Sequence, residues 1–336
     1  MRFALCLALG LGLTGCSFSY VLPDDDPVRP STVDPVRAAT ALLPGYAYPA
    51  GDTVRVATYN LEHFVDAFDS PYIRNRREDA PDADALRQRH ALFVDALREL
   101  DADVVSLQEV EGEGLIRALV DSLAPEMGYR FVASADDADW YMNVVVLSRL
   151  PLGPLTTFAD AATPIPGFTD DEGRSEATDL ANHRLLAVDV YARPGYTFTL
   201  VAAHLKAGRG DRDEAWRTGQ AGLMHAWLGQ RFPEPSEANV LLAGDLNAIP
   251  GSPSFAALLN ANGAMGPVRL TDPLADRGSD AWTHPSDAPT RQLDHVLPSA
   301  GAQPEVVRAE VPRPTGAPER LSDHLPVVVT LLARDR

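Results

Sequence analysis

Apolar and polar positions alternate along this chain in short blocks. Residues 54–60, 103–108, 129–133, 143–148, 184–191, 197–203, 239–243, 293–297, 306–311 and 327–332 are Val-rich runs bounded by Gly, Pro, Asn or Asp, and read as strands. Helical periodicity is clearest over 84–100, where Leu86, His90, Phe93, Val94 and Leu97 share a face. Residues 115–123 and 213–228 predict two more helices. Ser252-Pro253 opens a short one, with Ser as N-cap and Pro at the first helical position. Strands outnumber helices, and several adjoin as hairpins, so a strictly alternating doubly wound sheet fits poorly. The pattern alone gives α/β or α+β.

Six polar motifs mark the ends of these runs: Thr58-Tyr59-Asn60-Leu61-Glu62, Leu107-Gln108-Glu109-Val110, Ala203-His204-Leu205-Lys206, Gly244-Asp245-Leu246-Asn247, Gln292-Leu293-Asp294-His295 and Ser322-Asp323-His324-Leu325-Pro326. A carboxylate or His at the end of a buried strand is held rigidly and faces a crevice, where α/β proteins place ligands. The set offers hard oxygen ligands for a divalent cation, amides for phosphate, and carboxylates and imidazoles to move protons. Glu109 is a hard anionic ligand in type, although it also suits the N-terminus of the following helix. Asp245 and Asn247, two apart on a strand end, face the same way. Gly-Asp-x-Asn is equally good turn chemistry. Asp294 is a candidate to orient His324, fixing its tautomer and favouring its charged form.

In this order the motifs resemble the endonuclease/exonuclease/phosphatase superfamily, over the span from about Val54 to Leu332. The resemblance implies a four-layer α/β/β/α sandwich of two mixed β-sheets flanked by helices, with the site at one edge between the sheets. It implies an enzyme that hydrolyses phosphoester bonds with Mg²⁺, Mn²⁺ or Ca²⁺ being alternatives. Glu109 would be the principal metal ligand, Asn60 would lie near metal and phosphate, and Asp323 would complete the metal side. Glu62 matches a position where some relatives carry a second metal-proximal acid. Asp245 would orient or deprotonate the attacking water, and Asn247 would hydrogen-bond a phosphate oxygen. His324 with Asp294, and His204 opposite, would handle protons. A His at 204 resembles deoxyribonucleases, secreted bacterial nucleases and sphingomyelinases, whereas abasic-site endonucleases carry Tyr there. Lys206 and Arg184 are candidates for phosphate contact, and Asn143 for the cleft lining. The signatures of the inositol polyphosphate 5-phosphatases are absent, replaced by Leu242-Ala243-Gly244-Asp245 and Thr290-Arg291-Gln292-Leu293-Asp294. The other histidines, among them His63, His90, His183, His225, His284 and His295, carry no assignment, with His295 expected to point away from Asp294. Trp140, Tyr141 and Trp216 are expected in the core.

Charge refines the substrate. A formal net charge of −18 repels nucleic acid at long range. A local basic rim overrides that, and two are visible: Arg74, Arg76 and Arg77, and the stretch Lys206, Arg209, Arg212 and Arg217. The second favours a nuclease. A sphingomyelinase-like or other lipid or small-molecule phosphodiesterase is the first alternative, and a catalytically inactive surface-binding module the second. The expected partners are nucleic acid or another phosphodiester, with no protein partner and a monomeric state.

The N-terminus predicts export. Arg2 precedes an apolar stretch, 3–13, too short to span a bilayer, and Leu13-Thr14-Gly15-Cys16 reads as a lipobox. The alternative is an ordinary secretory signal with an incidental Cys. The expected division is a lipoprotein signal peptide over 1–16, a Pro/Asp-rich tether over 17–50 and a catalytic domain over 51–336. Cys6 and Cys16 are the two cysteines, so the mature domain would have none to pair. Ser17 after Cys16 favours anchoring in the outer membrane of the cell envelope. Cys16→Ser should therefore abolish incorporation of labelled palmitate and cleavage before residue 16, and label retained in the variant would overturn the lipobox reading.

Overall fold

The computed structural model describes residues 32–33, 46–66, 82–135, 140, 142–232, 234, 238–316 and 318–336. The signal, Cys16, most of the tether, the Arg74–Arg77 rim and Tyr141 lie outside the described residues. Two six-stranded sheets dominate. One has the order β1 (Thr32–Val33), β6 (Leu152–Thr157), β9 (Leu185–Arg193), β10 (Tyr196–His204), β11 (Val240–Asp245), β12 (Asp294–Pro298). The other runs β13 (Val306–Glu310), β14 (Val327–Leu332), β2 (Thr53–Phe64), β3 (Val104–Val110), β5 (Asn143–Ser148), β4 (Phe131–Ser134). Strands β7 (Thr163–Thr169) and β8 (Ser175–Thr178) form a separate hairpin. Helices α1 (Ala83–Leu100) and α2 (Glu113–Leu123) cover one outer face, and α3 (Asp211–Arg231) and α4 (Pro253–Leu259) the other. This is the expected four-layer sandwich.

The two-residue strand period sorts side chains into three cores. Val54 and Val56 of β2, Val104 of β3, Leu200 and Ala202 of β10, Leu241 and Ala243 of β11 and Val296 of β12 meet between the sheets. Their neighbours Ala57, Tyr59, Val105 and Leu107 pack on Phe93, Leu97 and Ile116 of α1 and α2. Val201, Ala203 and Leu242 pack on Leu223, Leu228 and Leu258 of α3 and α4. Continuing the inter-sheet phase past the last apolar residue reaches Asn60, His204 and Asp245. Counting back from Val296 reaches Asp294. The polar motifs thus lie on the two facing surfaces, at one level.

Strand direction brings them to the same end. Each sheet has one parallel pair, β2 with β3 and β10 with β11, and each pair is joined through a helix. Parallel partners end side by side. Their outer neighbours β14 and β12 are antiparallel and present their first residues there.

Among the described residues, sequence reading located ten of the strands and all four α-helices, with Ser252 accepting from the Phe255 amide as its cap. It missed β1, which falls in the expected tether and pairs with β6, then β6 itself, whose Leu-Gly-Pro-Leu has weak strand character, and the β7–β8 hairpin. Tyr46 and Tyr48 stack edge-on with ring centroids 5.2 Å apart, and the Tyr46 hydroxyl donates to the Arg149 carbonyl. No described helix is long and apolar enough to cross a membrane.

Two glycines of α3 give a paired test. A Cβ at Gly219 would fall 1.8 Å from the Pro164 carbonyl oxygen of β7, whereas one at Gly222 meets nothing within 4 Å. Gly219→Ala should cost about 1–3 kcal/mol through overpacking. Gly222→Ala should stabilise by about 0.5–1 kcal/mol through helix propensity. Opposite shifts of the urea midpoint check this, and equal shifts would refute the packing.

Candidate active site

The site is tied together by Asn60. Its amide nitrogen donates to Asp245 Oδ2 at 2.9 Å on the opposite sheet and to Glu109 Oε1 at 3.2 Å on its own. His204 Nε2 lies 3.6 Å from Glu109 Oε1 and 3.7 Å from Asp245 Oδ2. His63, unassigned from sequence, approaches Glu109 Oε2 at 3.2 Å with both its backbone N–H and Nδ1.

Glu109 reaches this face only because its strand breaks phase. Strict alternation after Leu107 would turn it toward α1 and α2. Instead β3 shifts register between Leu107 and Val110, and Glu109 takes a left-handed φ of 57°. On the partner β2 the register shifts between Asn60 and Phe64, with Glu62 at φ 48° and His63 at φ 53°. Such residues cost of order 1–3 kcal/mol each and persist where their surroundings over-determine them. Arg89 of α1 supplies part of that constraint. Its half-buried guanidinium donates to the carbonyls of Leu61, Glu62, His63 and Leu321.

Donor chemistry at this point fits a divalent cation. Ligand atoms of Glu109, His204 and Asp245 lie within 4.8 Å of one another. Among the described residues no Lys or Arg pairs with either carboxylate. The buried Nδ1 of His204 has no partner. Two acids joined by a neutral amide, neither paired with Lys or Arg, suit a hard cation.

Beside this group, His324 Nδ1 lies 2.7 Å from Asp294 Oδ2, and its Nε2 lies 3.8 Å from both Asp245 Oδ2 and Asp323 Oδ1. Burial favours a neutral ring, but Asp294, Asp245 and Asp323 outweigh it, and the His324 pKa is pushed up to about 10. Desolvation pushes Asp245 up to about 7, with Asp294 adding to it and His324 opposing. His204 is driven well below its ordinary value, first by burial and then by Arg184, His324 and His63. The two imidazoles are thus differentiated: His324 carries charge and His204 is neutral.

Asp323 faces outward from His324. Its Oδ2 lies 3.2 Å from His284 Nε2, and the His284 ring meets the His324 ring edge-on at 4.8 Å. Burial pushes Asp323 up, but His284 and His324 prevail and hold it below its usual value. No local signal marks His284; an isolated β-bridge to Arg291 carries it into the site. His295 points away as expected, onto Phe255 and the Ala248 carbonyl.

Other expected residues are placed differently. Glu62 is not grouped with Glu109: it accepts from the Asp323 backbone at 3.1 Å and lines a separate hollow beside α1. Asn247 lies beyond β11 in a left-handed turn (φ 48°), so it does not continue the alternation from Asp245. Its N–H donates to Asp245 Oδ1 at 2.9 Å, which is the turn chemistry its sequence allowed, and it still lines the cleft. Asn143 does not line the cleft. It is buried, donating to the Glu111 and Trp140 carbonyls at 2.8 Å each. The basic stretch does not act as one rim. Arg217 is buried against Glu214, Lys206 pairs with Asp213 at 2.9 Å, and Arg212 pairs with Glu176. Arg209 is exposed and lines the cleft. Arg184 stacks 5.8 Å from the Trp140 ring centroid, and both line the cleft's other arm.

The cleft has two arms that share Glu109 and His204. One, of about 820 Å³, holds Asp245, Asn247, His324, Arg209 and Arg291. The other, of about 860 Å³, is lined by Trp140, Met142, Leu180, Arg184, Lys206 and Trp216. Each is large enough for a nucleotide-sized group. Trp216 is nearly buried, as expected for core.

Opposed acidic strand ends, an amide between them and a carboxylate-held imidazolium define a site able to hold a cation and a phosphoryl group together. The sequence matches the Endonuclease/Exonuclease/phosphatase family over residues 57–324, and the chain belongs to that family. No curated protein matches it by sequence. Similar solved structures include truncated TDP2 of Caenorhabditis elegans, at 16% identity and TM-score 0.55, covering 84% of this chain and 98% of that one. A family protein from Bacteroides thetaiotaomicron has 18% identity and TM-score 0.54, covering 83% and 94%. D. rerio TDP2 complexed with single strand DNA product has 20% identity and TM-score 0.52, covering 83% and 99%. These likenesses show the fold.

The raised His324 pKa carries a sign. A cationic group whose folded value exceeds its unfolded one, about 6.5, stabilises fully below that pH and loses its contribution as pH rises through about 10. Metal-free protein should lose stability, on the order of a few kcal/mol, between about pH 7 and 10. Asp294→Asn should remove most of that slope. Urea titrations in EDTA and imidazole NMR of His324 check this, and parallel pH profiles would refute the pairing.

Proposed function

We propose that this protein is an exported, metal-dependent phosphodiesterase, and that a nucleic acid is its first-choice substrate. The observation that carries the reading is the Asn60-bridged pair of acids, Glu109 and Asp245, with differently charged imidazoles on either side. Glu109, with Asn60 and Asp245 nearby, would hold Mg²⁺, or Mn²⁺ or Ca²⁺ in its place. What the cation supplies when bound is charge stabilisation on the phosphate and the leaving oxygen.

The chain's own residues do the rest. Asp245, with its pKa near neutrality, takes a proton from the water that attacks phosphorus in line. His324, kept protonated by Asp294, stabilises negative charge on the phosphate. His204, opposite and neutral, hydrogen-bonds the leaving oxygen through its ring N–H as the P–O bond breaks, and that oxygen takes its proton from solvent. Asn247 is placed in the cleft to hold a phosphate oxygen. Asp323, held by His284, supports the outer side of the metal region.

Nucleic acid is placed first because the 820 Å³ arm carries Arg209 and Arg291, and because the D. rerio neighbour holds a single strand DNA product. A lipid or small-molecule diester is the second reading. Its support is the apolar second arm, where Leu180 is 67% exposed beside Trp140 and Met142. The lipobox reading places the enzyme on the outer membrane, tethered through Cys16.

Glu109→Ala should abolish Mg²⁺-stimulated hydrolysis and weaken Mn²⁺ binding measured by calorimetry, with the thermal unfolding midpoint retained. His204→Ala and His324→Ala should each lower turnover by about two to four orders of magnitude. Plasmid DNA, RNA, sphingomyelin and bis-p-nitrophenyl phosphate are the assay panel. Near-normal turnover of Glu109→Ala at saturating Mg²⁺ would sink the metal assignment, and cleavage of sphingomyelin but not DNA would select the second reading.

A further inference from the structure

We propose that Arg291 and Arg209 form a second phosphate subsite, so that the preferred substrate carries a further phosphate beside the one being hydrolysed. This deepens the phosphodiesterase reading and rests on it.

The argument begins with which cations are already engaged. Around the cleft, Arg217 pairs with Glu214 at 2.6 Å and also donates to the Lys206 and Gly208 carbonyls. Lys206 pairs with Asp213, and Arg212 with Glu176. Arg291 and Arg209 form no ion pair with any described residue. Arg291 uses one N–H, donating from Nη2 to His284 Nδ1 at 2.9 Å. A guanidinium has five such donors, so four stay available in a fork that matches phosphate. In a chain of net charge −18, two arginines left unpaired in one cavity call for an anion from outside.

Both are held in place by their backbone. The His284–Arg291 bridge fixes one side, with His284 N–H donating to the Arg291 carbonyl at 3.0 Å and Arg291 N–H returning to His284 at 3.1 Å. The loop carrying Arg209 is clamped by Asp213, which takes Lys206 Nζ at 2.9 Å and the Gly210 N–H at 3.2 Å. The carbonyls turned inward to Arg217 leave Arg209 facing the cavity.

The position relative to the reacting centre follows from contacts. One imidazole, His284, separates Arg291 from Asp323 and His324. The same cavity wall contains Asp245, His204, His324 and Asn247. Besides Glu109 and Asp245, its remaining acid, Glu214, is satisfied by Arg217 and the Ser254 N–H. A phosphate neighbouring the reacting one therefore meets donors here.

The test compares thymidine 3′,5′-bisphosphate with thymidine 5′-monophosphate, binding to the whole domain in Mg²⁺ buffer by calorimetry. The bisphosphate should bind at least about tenfold tighter, and Arg291→Gln should reduce that ratio about tenfold. Arg209→Gln, at an exposed position where folding is not at risk, should reduce it in the same direction. A ratio near one in the unsubstituted protein, or a ratio that survives both changes, would overturn the subsite. If the ratio depends on both arginines while no diester of the panel is cut, the subsite stands and the hydrolase reading falls.

Discussion

Everything at this site depends on where the inter-sheet core stops. Two sheets packed face to face sit about 10 Å apart, close enough for side chains of opposite sheets to touch. Along β2, β10 and β11 the inward positions are apolar up to one level and polar at the next turn of the pleat. At that level Asn60 meets Asp245 across the gap at 2.9 Å. The hydrophobic core therefore sets the separation at which the polar groups act. The one parallel pair in each sheet ensures that strand ends, not hairpin turns, arrive there.

Strain is concentrated next to that boundary. Glu62, His63, Glu109 and Asn247 all adopt left-handed φ. Asn tolerates this and satisfies itself with an Asx-type turn on Asp245. Glu109 does not tolerate it readily, and its conformation is what turns a helix-facing carboxylate into an inter-sheet one. Arg89, wedged among four backbone carbonyls, holds the neighbouring bulge in a shape the chain would not keep in isolation.

Much of this was legible in the sequence because it follows from period and position. Val54 and Val56 fix the phase that brings Asn60 inward, and Val296 does the same for Asp294. His295 was correctly expected to point away on the same ground. What escaped depends on breaks in that period or on distant pairing. Alternation gives no warning of the bulges that turn Glu62 toward the Asp323 amide. Asn143 occupies a strand start and was expected in the cleft, but its amide is spent on the carbonyls of Glu111 and Trp140. The basic stretch 206–217 looked continuous until helix geometry gave Lys206, Arg212 and Arg217 each its own acid. His284 and Arg291 enter through a bridge between loops, for which no local pattern exists.

The placement of β14 has a consequence for how the protein matures. The Ser322 hydroxyl donates to the Asn60 carbonyl at 2.6 Å, a contact between residues 262 apart in sequence. His324 follows immediately, and the strand after it inserts between β13 and β2 near the end of the chain. Contacts of such separation form late, because loop closure must precede any reward from them. The two imidazoles and the acids are therefore not a unit in any partly folded chain, however much of the first sheet has formed. The site is thus a property of the finished topology, complete only where β14 is paired with β2.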